Sequence, residues 1–180
     1  MIIETSGIEG EEALPMIITF TDASYGGEKP AAGFAVLING TPVSYSAYRL
    51  ATTPLSSAEA EYMAAVRAVV STIGIRETVT FIMDTEDDVK TPITFFQDAD
   101  VTLTLCDNMA TVQISDKNAS SKRMKHMVTK LAFLREQVQA KKTILHHIPT
   151  KGMVADIFTK PLLADSFHHL RKYLVTLLSK

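Results

Sequence analysis

Met16-Ile17-Ile18-Thr19-Phe20-Thr21-Asp22-Ala23-Ser24 is an apolar run that closes on an acid. Its β-branched and aromatic residues suit a pleated surface packed on both sides, so the run reads as a buried strand. Asp22 is its informative position. A strand-terminal aspartate commonly serves a turn or a cap, but one that faces a cleft calls for a cation. A single carboxylate is not enough to hold one, so the rest of the chain must supply others.

Outward from this strand, Tyr25-Gly26-Gly27-Glu28-Lys29-Pro30 has turn composition. Ala32–Ile38 reads as a second strand. Asn39-Gly40 is the strongest short hairpin signal, and Val43–Tyr48 follows as a third strand. The chain thus opens with an antiparallel meander. Ser56-Ser57-Ala58-Glu59 fits a capping box, with Ser56 as N-cap. The helix behind it carries an apolar stripe of Met63, Val66, Val70 and Ile73; Gly74 is expected to end or bend it, although Ile75, Val79, Ile82 and Met83 continue the helical spacing.

Asp84–Lys90 reads as an acidic loop, and Thr94-Phe95-Phe96 as a short edge strand or loop packing. Val101–Cys106 is a fourth strand leading to Asp107-Asn108, then a short helix over about 109–115. Met124, Met127, Val128, Leu131, Leu134 and Val138 mark a helix from Lys122 to about Gln139, with Lys122, Lys125, Lys130 and Arg135 off that stripe. Thr143–Ile148 is the last strand. A helix near 153–159 stops at Pro161. Leu163, Phe167, Leu170, Leu174 and Leu177 mark a terminal amphipathic helix. A meander followed by strands alternating with helices predicts an α/β fold, a mixed sheet with helices on its faces.

With 180 residues and 46% hydrophobic content, the chain can build one well-filled core. We read residues 1–14 as an acidic, flexible lead-in, 15–162 as the domain, and 163–180 as a helix packed on it. Cys106 is the single cysteine, which rules out an internal disulfide and suits a reducing compartment. No apolar run approaches the 18 residues of a membrane span, and no N-terminal signal pattern is visible. The expectation is a soluble intracellular protein without a membrane partner.

The net charge of −2 argues against a generally basic nucleic-acid binder, but it hides a segregation. Residues 84–100 hold six acids and one Lys, a net of −5, whereas residues 117–142 hold eight Lys/Arg and one Glu, a net of +7. The basic stretch has two readings, a solvated helix face or a phosphate-contact surface. Lys122, Arg123, Lys125 and His126 cluster at its start and are the candidates for the second.

Four acids fall at telling places. Asp22 ends the first strand, Glu61 lies in the first turns of the first helix, Asp107 ends the fourth strand and Asp156 begins a late helix. Carboxylate oxygens suit Mg²⁺ or Mn²⁺, and no Cys/His cluster competes for another metal. Glu59 is the rival to Glu61, but the capping box already employs it. Ala65, Ala68 and Thr72 share the side of Glu61, and such small residues let a helix lie close to a sheet.

Thr21-Asp22-Ala23-Ser24, Leu55-Ser56-Ser57-Ala58-Glu59-Ala60-Glu61-Tyr62-Met63-Ala64, Cys106-Asp107-Asn108, Ser121-Lys122-Arg123-Met124-Lys125-His126, Arg135-Glu136 and Val154-Ala155-Asp156-Ile157-Phe158-Thr159-Lys160-Pro161-Leu162 together resemble the ribonuclease H domain of copia-type LTR retrotransposon polyproteins. The resemblance covers about residues 16–162. It implies a ribonuclease-H-like, five-stranded mixed sheet flanked by helices. It also implies an active site of Asp22, Glu61, Asp107 and Asp156 on two Mg²⁺ ions, with Mn²⁺ able to substitute.

The implied activity is endonucleolytic hydrolysis of the RNA strand of an RNA–DNA hybrid during retrotransposon reverse transcription. The implied partners are the hybrid and a reverse transcriptase polymerase domain, in a cytoplasmic particle or the nucleus. Ser24 and Asn108 join the basic cluster as candidate hybrid contacts; the alternative for Asn108 is a helix cap, and for Ser24 a turn. Tyr25 is a further candidate to line the groove.

One departure stands out. Many relatives carry a histidine in the loop before the last aspartate, where this chain has Thr150-Lys151-Gly152-Met153. That implies slower turnover or a substitute such as Lys151, with His146 and His147 read as sheet residues. The alternative to an active nuclease is a catalytically weak or dormant module of the same fold that binds nucleic acid or a polymerase. An integrase fits less well, because Glu61 lies on the first helix and the late acid is an aspartate.

Overall fold

The computed structural model describes residues 17–26, 30–85, 101–115 and 127–175. Five strands form one mixed sheet in the order β3-β2-β1-β4-β5. They are β1 (Ile17–Ala23), β2 (Ala31–Ile38), β3 (Thr41–Arg49), β4 (Thr102–Cys106) and β5 (Thr143–His147). β1 to β3 pair antiparallel, whereas β4 runs parallel to β1 and β5 parallel to β4. The expected mixed sheet with an opening meander is present. Asn39 and Gly40 both take positive φ, 49° and 78°, the conformation that a tight β-hairpin turn demands.

β1 is central, and all seven of its residues are buried. That explains why it has no solvent-facing polar side: Thr19, Thr21 and Asp22 are buried along with its apolar residues. β3 is an edge strand whose residues alternate between exposed and half-buried. Successive β1 side chains serve opposite faces. Ile18 and Phe20 join Leu103, Leu105, Met153 and Val154 in one core layer. Ile17 and Thr19 face the other side, where α1 (Ser57–Thr85) packs.

α1 lies close to the sheet because its contact residues are small. Ala60, Ala64, Ala65, Ala68 and Thr72 have no exposed surface. The Thr72 hydroxyl meets that of Thr19 at 2.7 Å, tying the helix to β1. Tyr62, Met63 and Val69 of α1 pack with Met127, Leu131 and Leu134, the last two in α3 (Val128–Gln139). Between them in sequence lies α2 (Met109–Ser115). On the opposite face sits the short α4 (Asp156–Thr159), preceded by a 3₁₀ turn at Thr150–Gly152 and followed by α5 (Ala164–Arg171).

Five expectations need correction. Gly74 does not end α1, which continues to Thr85 and so takes in the first two residues of the expected acidic loop. Nothing lies within 4 Å of where a Gly74 side chain would stand, so the glycine sits on an open helix surface. Val70 is exposed rather than part of the buried stripe, as is Val128 on α3. Of the terminal apolar stripe, Leu170 is buried and Leu174 packs on the core, while Leu163 and Phe167 are exposed. The lead-in 1–14, the expected edge strand at 94–96, and Lys122, Arg123, Met124, Lys125 and His126 lie outside the described residues.

Candidate metal centre

Parallel pairing decides where the carboxylates meet. β1 pairs with β4 through Phe20 and Leu105, so continuing the register by two residues brings Asp22 level with Asp107. β5 runs the same way, and the chain leaving its C-terminal end turns directly into α4, which Asp156 opens. Three acids thus gather at the carboxyl edge of three parallel strands, where open α/β sheets place their ligand crevices. One oxygen each from Asp22, Asp107 and Asp156 lies within 4.8 Å of the others.

Glu61 arrives from the other face of the sheet. Ser56 caps α1 by accepting a hydrogen bond from the Glu59 backbone N–H at 3.2 Å. The Glu59 carboxylate reaches back to the Leu55 N–H at 2.8 Å, one residue earlier than an ideal capping box. With α1 fixed this way, Glu61 meets the end of β1. It accepts the Ala23 backbone N–H and shares a hydrogen bond with Asp22. Its Oε2 is buried and has no hydrogen-bond partner.

Neighbouring hydroxyls orient two of the aspartates. Thr159 donates to Asp22 Oδ2, and Thr150 donates to Asp107 Oδ2 at 3.0 Å. Lys160 enters the same cluster. Its Nζ stands 2.9 Å from Asp156 Oδ1 and 3.8 Å from Asp22 Oδ2. Thr159 and Lys160 were not singled out in the sequence, although residues three and four beyond Asp156 on a helix share its side.

The electrostatics are those of crowded, poorly solvated acids. Burial, then the charges of Asp22 and Asp107, pushes the Glu61 carboxyl up to about 9. Burial raises Asp156 to about 6, opposed by its hydrogen bond to Lys160 and assisted by Asp22 and Asp107. For Lys160, burial works against the charge, but the Asp156 hydrogen bond and the carboxylate charges outweigh it and raise its pKa.

A divalent cation fits this donor set. The donors are all hard oxygens, as Mg²⁺ and Mn²⁺ prefer. The orphaned Glu61 Oε2 is a buried acceptor awaiting a positive partner. Cys106 is no competing ligand, because burial pushes its thiol up to about 12.

Of the candidate hybrid contacts, the three among the described residues already bond the backbone. Asn108 Oδ1 accepts the Thr111 N–H at 3.3 Å and caps α2. The Ser24 hydroxyl accepts the Ala31 N–H at 2.9 Å, closing the β1–β2 connection. Tyr25 is exposed and its hydroxyl donates to the Leu55 carbonyl at 3.3 Å. Lys151 is exposed and lines a cavity of about 490 Å³ beside Asp156, together with Thr150 and His169. His146 and His147 are both half-buried at the end of β5.

No protein-family model matches the chain. It is 27% identical over 157 residues to the retrovirus-related Pol polyprotein from transposon RE1 of Arabidopsis thaliana, covering 83% of this chain and 10% of the relative. It is 26% identical over 155 residues to the truncated transposon Ty1-A Gag-Pol polyprotein of Saccharomyces cerevisiae, covering 84% and 12%. The chain thus spans about a tenth of the length of these curated relatives.

Among solved structures it resembles the N-terminal ribonuclease H domain of a Mycobacterium tuberculosis protein, with TM-score 0.57, 12% identity and coverage of 87% and 96%. It also resembles the compost-metagenome LC11 ribonuclease H1 in complex with an RNA/DNA hybrid, with TM-score 0.53, 17% identity and coverage of 79% and 93%. The homologues are therefore copia-type retrotransposon Pol polyproteins, and the fold is that of ribonuclease H domains.

Proposed function

We propose that this chain is an endoribonuclease that hydrolyses the RNA strand of RNA–DNA hybrids and serves retrotransposon reverse transcription. Asp22, Glu61, Asp107 and Asp156 would hold two divalent ions, Mg²⁺ with Mn²⁺ as a substitute. The observation that carries the reading is the convergence of three aspartate oxygens within 4.8 Å, with the buried, orphaned Glu61 oxygen beside them. When bound, such ions supply activation of water and stabilisation of the departing oxygen in an in-line displacement.

The chain's own residues fix the geometry for that chemistry. The Thr159 and Thr150 hydroxyls hold Asp22 and Asp107 in set orientations, as outer partners of metal ligands do. The Ala23 N–H holds Glu61 at the strand end. Burial of Asp22, Glu61 and Asp156 keeps bulk water from screening the charges that would act on the phosphate.

Substrate recognition in this proposal uses backbone shape and the 2′-hydroxyl rather than base sequence. Lys122, Arg123, Lys125 and His126 are the proposed phosphate contacts. Asn108 keeps its amide donors for the hybrid while its oxygen caps α2, and Ser24 is a further proposed contact. The solved relative bound to an RNA/DNA hybrid supports the substrate class. Similarity to about a tenth of Pol polyproteins supports a polymerase domain as partner, inside the cell in a particle or nucleus. Among the described residues no helix is long and apolar enough to cross a membrane.

The test is a gel assay with labelled RNA–DNA hybrid, duplex DNA and duplex RNA in Mg²⁺. Cutting confined to the RNA strand of the hybrid is the expected result. Equal cutting of duplex DNA, or hybrid binding without any cutting, would replace the reading with an integrase-like or dormant module.

A further inference from the structure

Lys160 stands inside the carboxylate cluster, not on its outskirts. Its ammonium is 2.9 Å from Asp156 Oδ1 and 3.8 Å from Asp22 Oδ2. Those two aspartates are themselves almost wholly buried. One positive charge does not saturate the cluster, for Glu61 Oε2 next to Asp22 stays buried without a partner. The ammonium and a divalent ion need the same oxygens, and they need them at different distances. An N–H···O⁻ contact sits near 2.8 Å, whereas Mg²⁺ requires oxygens at about 2.0–2.1 Å. A carboxylate oxygen can accept a hydrogen bond and still bind a metal, but an ammonium and a divalent ion on the same oxygens repel each other at this range, so the two compete for Asp156 Oδ1 and Asp22.

Lys160 is also built to leave. It is the C-cap of α4, with extended backbone at φ −147° and ψ 152°, and Pro161 follows. Its side chain can swing without unwinding the helix that carries Asp156. The side chain is 37% exposed, so the way out to solvent is open. A flexible four-carbon stem suits such an exchange better than a planar, bidentate guanidinium.

We infer that Lys160 is a tethered counter-ion of the metal site: its ammonium neutralises Asp22 and Asp156 in the metal-free protein, and divalent-ion binding must displace it. The inference rests on the divalent-site reading above but not on the identity of the nucleic-acid substrate. Lys160 is thus a positioning residue that tunes metal affinity by competition. If the ammonium occupies the site nine-tenths of the time, apparent metal affinity is lowered about tenfold.

Two measurements test this. Mn²⁺ titration by calorimetry should show Lys160→Met binding about tenfold more tightly than wild type, with Lys160→Arg close to wild type. The metal-free Lys160→Met protein should melt at lower temperature, and saturating Mn²⁺ should remove most of that difference. Unchanged or weaker Mn²⁺ binding by Lys160→Met would overturn the inference.

Should that variant fail to fold, trace acetylation of the wild type read by mass spectrometry decides. Lys160 should label faster with Mn²⁺ than without it, against Lys172 as internal reference. Unchanged or slower labelling would overturn the displacement. Hybrid cleavage by a wild type whose Lys160 labelling ignores Mn²⁺ sinks the inference and leaves the nuclease standing. Faster labelling in a protein that cuts no hybrid does the reverse.

Discussion

A side chain at Gly33 would occupy the space of Phe158: a methyl built there overlaps the phenylalanine Cβ. Phe158 in turn stacks on Tyr45 of β3, with ring centroids 5.8 Å apart and planes 2° apart. The glycine therefore sets how closely α4, and Asp156 with it, approaches β2. Gly33→Ala should destabilise the protein by about 1–3 kcal/mol through overpacking. It should also lower hybrid cleavage by about a hundredfold, the cost of misplacing a reacting group by about 1 Å. Thermal melting and single-turnover kinetics check both. Wild-type cleavage by this variant would detach α4 placement from activity.

Asp107→Asn separates the site from the fold. Its carboxylate raises Glu61 and Asp156 by charge repulsion, so the amide should leave the metal-free protein as stable as wild type or more so. Metal-supported cleavage should fall by more than about a hundredfold, beyond what removing an outer-shell partner costs. A variant that melts normally and still cuts hybrid would refute a metal-ligand role.

The stability of the metal-free protein should depend on pH in a definite sense. Glu61 is raised from 4.5 to about 9, so between those values the folded state binds more protons than the unfolded one. The stability this contributes is fully present below pH 4.5 and is lost progressively as pH rises towards 9. Asp156, raised from 3.8 to about 6, adds in the same direction over its lower window. Melting curves in chelator across pH 4.5–9 should fall for wild type, more shallowly for Glu61→Gln, and flatten with saturating Mg²⁺. A slope unchanged by Glu61→Gln would place the titration elsewhere.

The basic cluster makes a separate prediction. Replacing Lys122, Arg123 and Lys125 by Ala should weaken hybrid binding uniformly across sequences. Every phosphate-binding charge removed should reduce the slope of log K against log[salt] by about one. Filter binding at several salt concentrations measures it, and an unchanged slope would return these residues to a solvated face.

The parts of the fold legible in the sequence were those where one local rule operates alone. The β1 run, the Asn39-Gly40 turn and the Ser56 cap each require particular residues for particular backbone reasons. Spacing along α1 misled at Val70 because the helix approaches the sheet through Ala60, Ala64 and Ala68. Where backbones come close, small residues mark the buried side and larger ones face out. Gly74 misled because a helix interior tolerates an exposed glycine at a cost of about 1 kcal/mol when neighbouring turns are well packed.

The acids were legible from their positions at element ends. Their partners were not. Thr159 and Lys160 look like an ordinary helix end until parallel pairing brings Asp22 against them. Ser24 and Asn108 show the converse, since each has a backbone partner that sequence could only offer as the alternative.

The hydrogen bond from Thr159 to Asp22 joins residues 137 positions apart. A ribosome releases the first carboxylate of the cluster long before the helix that completes it. Until α4 emerges, Asp22, Glu61 and Asp107 are crowded acids without Thr159 or Lys160 beside them, at a sheet edge whose parallel strands are slow to pair. The carboxylate cluster is thus completed only after α4 has been made, and a nascent chain paused before Asp156 lacks one of its four acids.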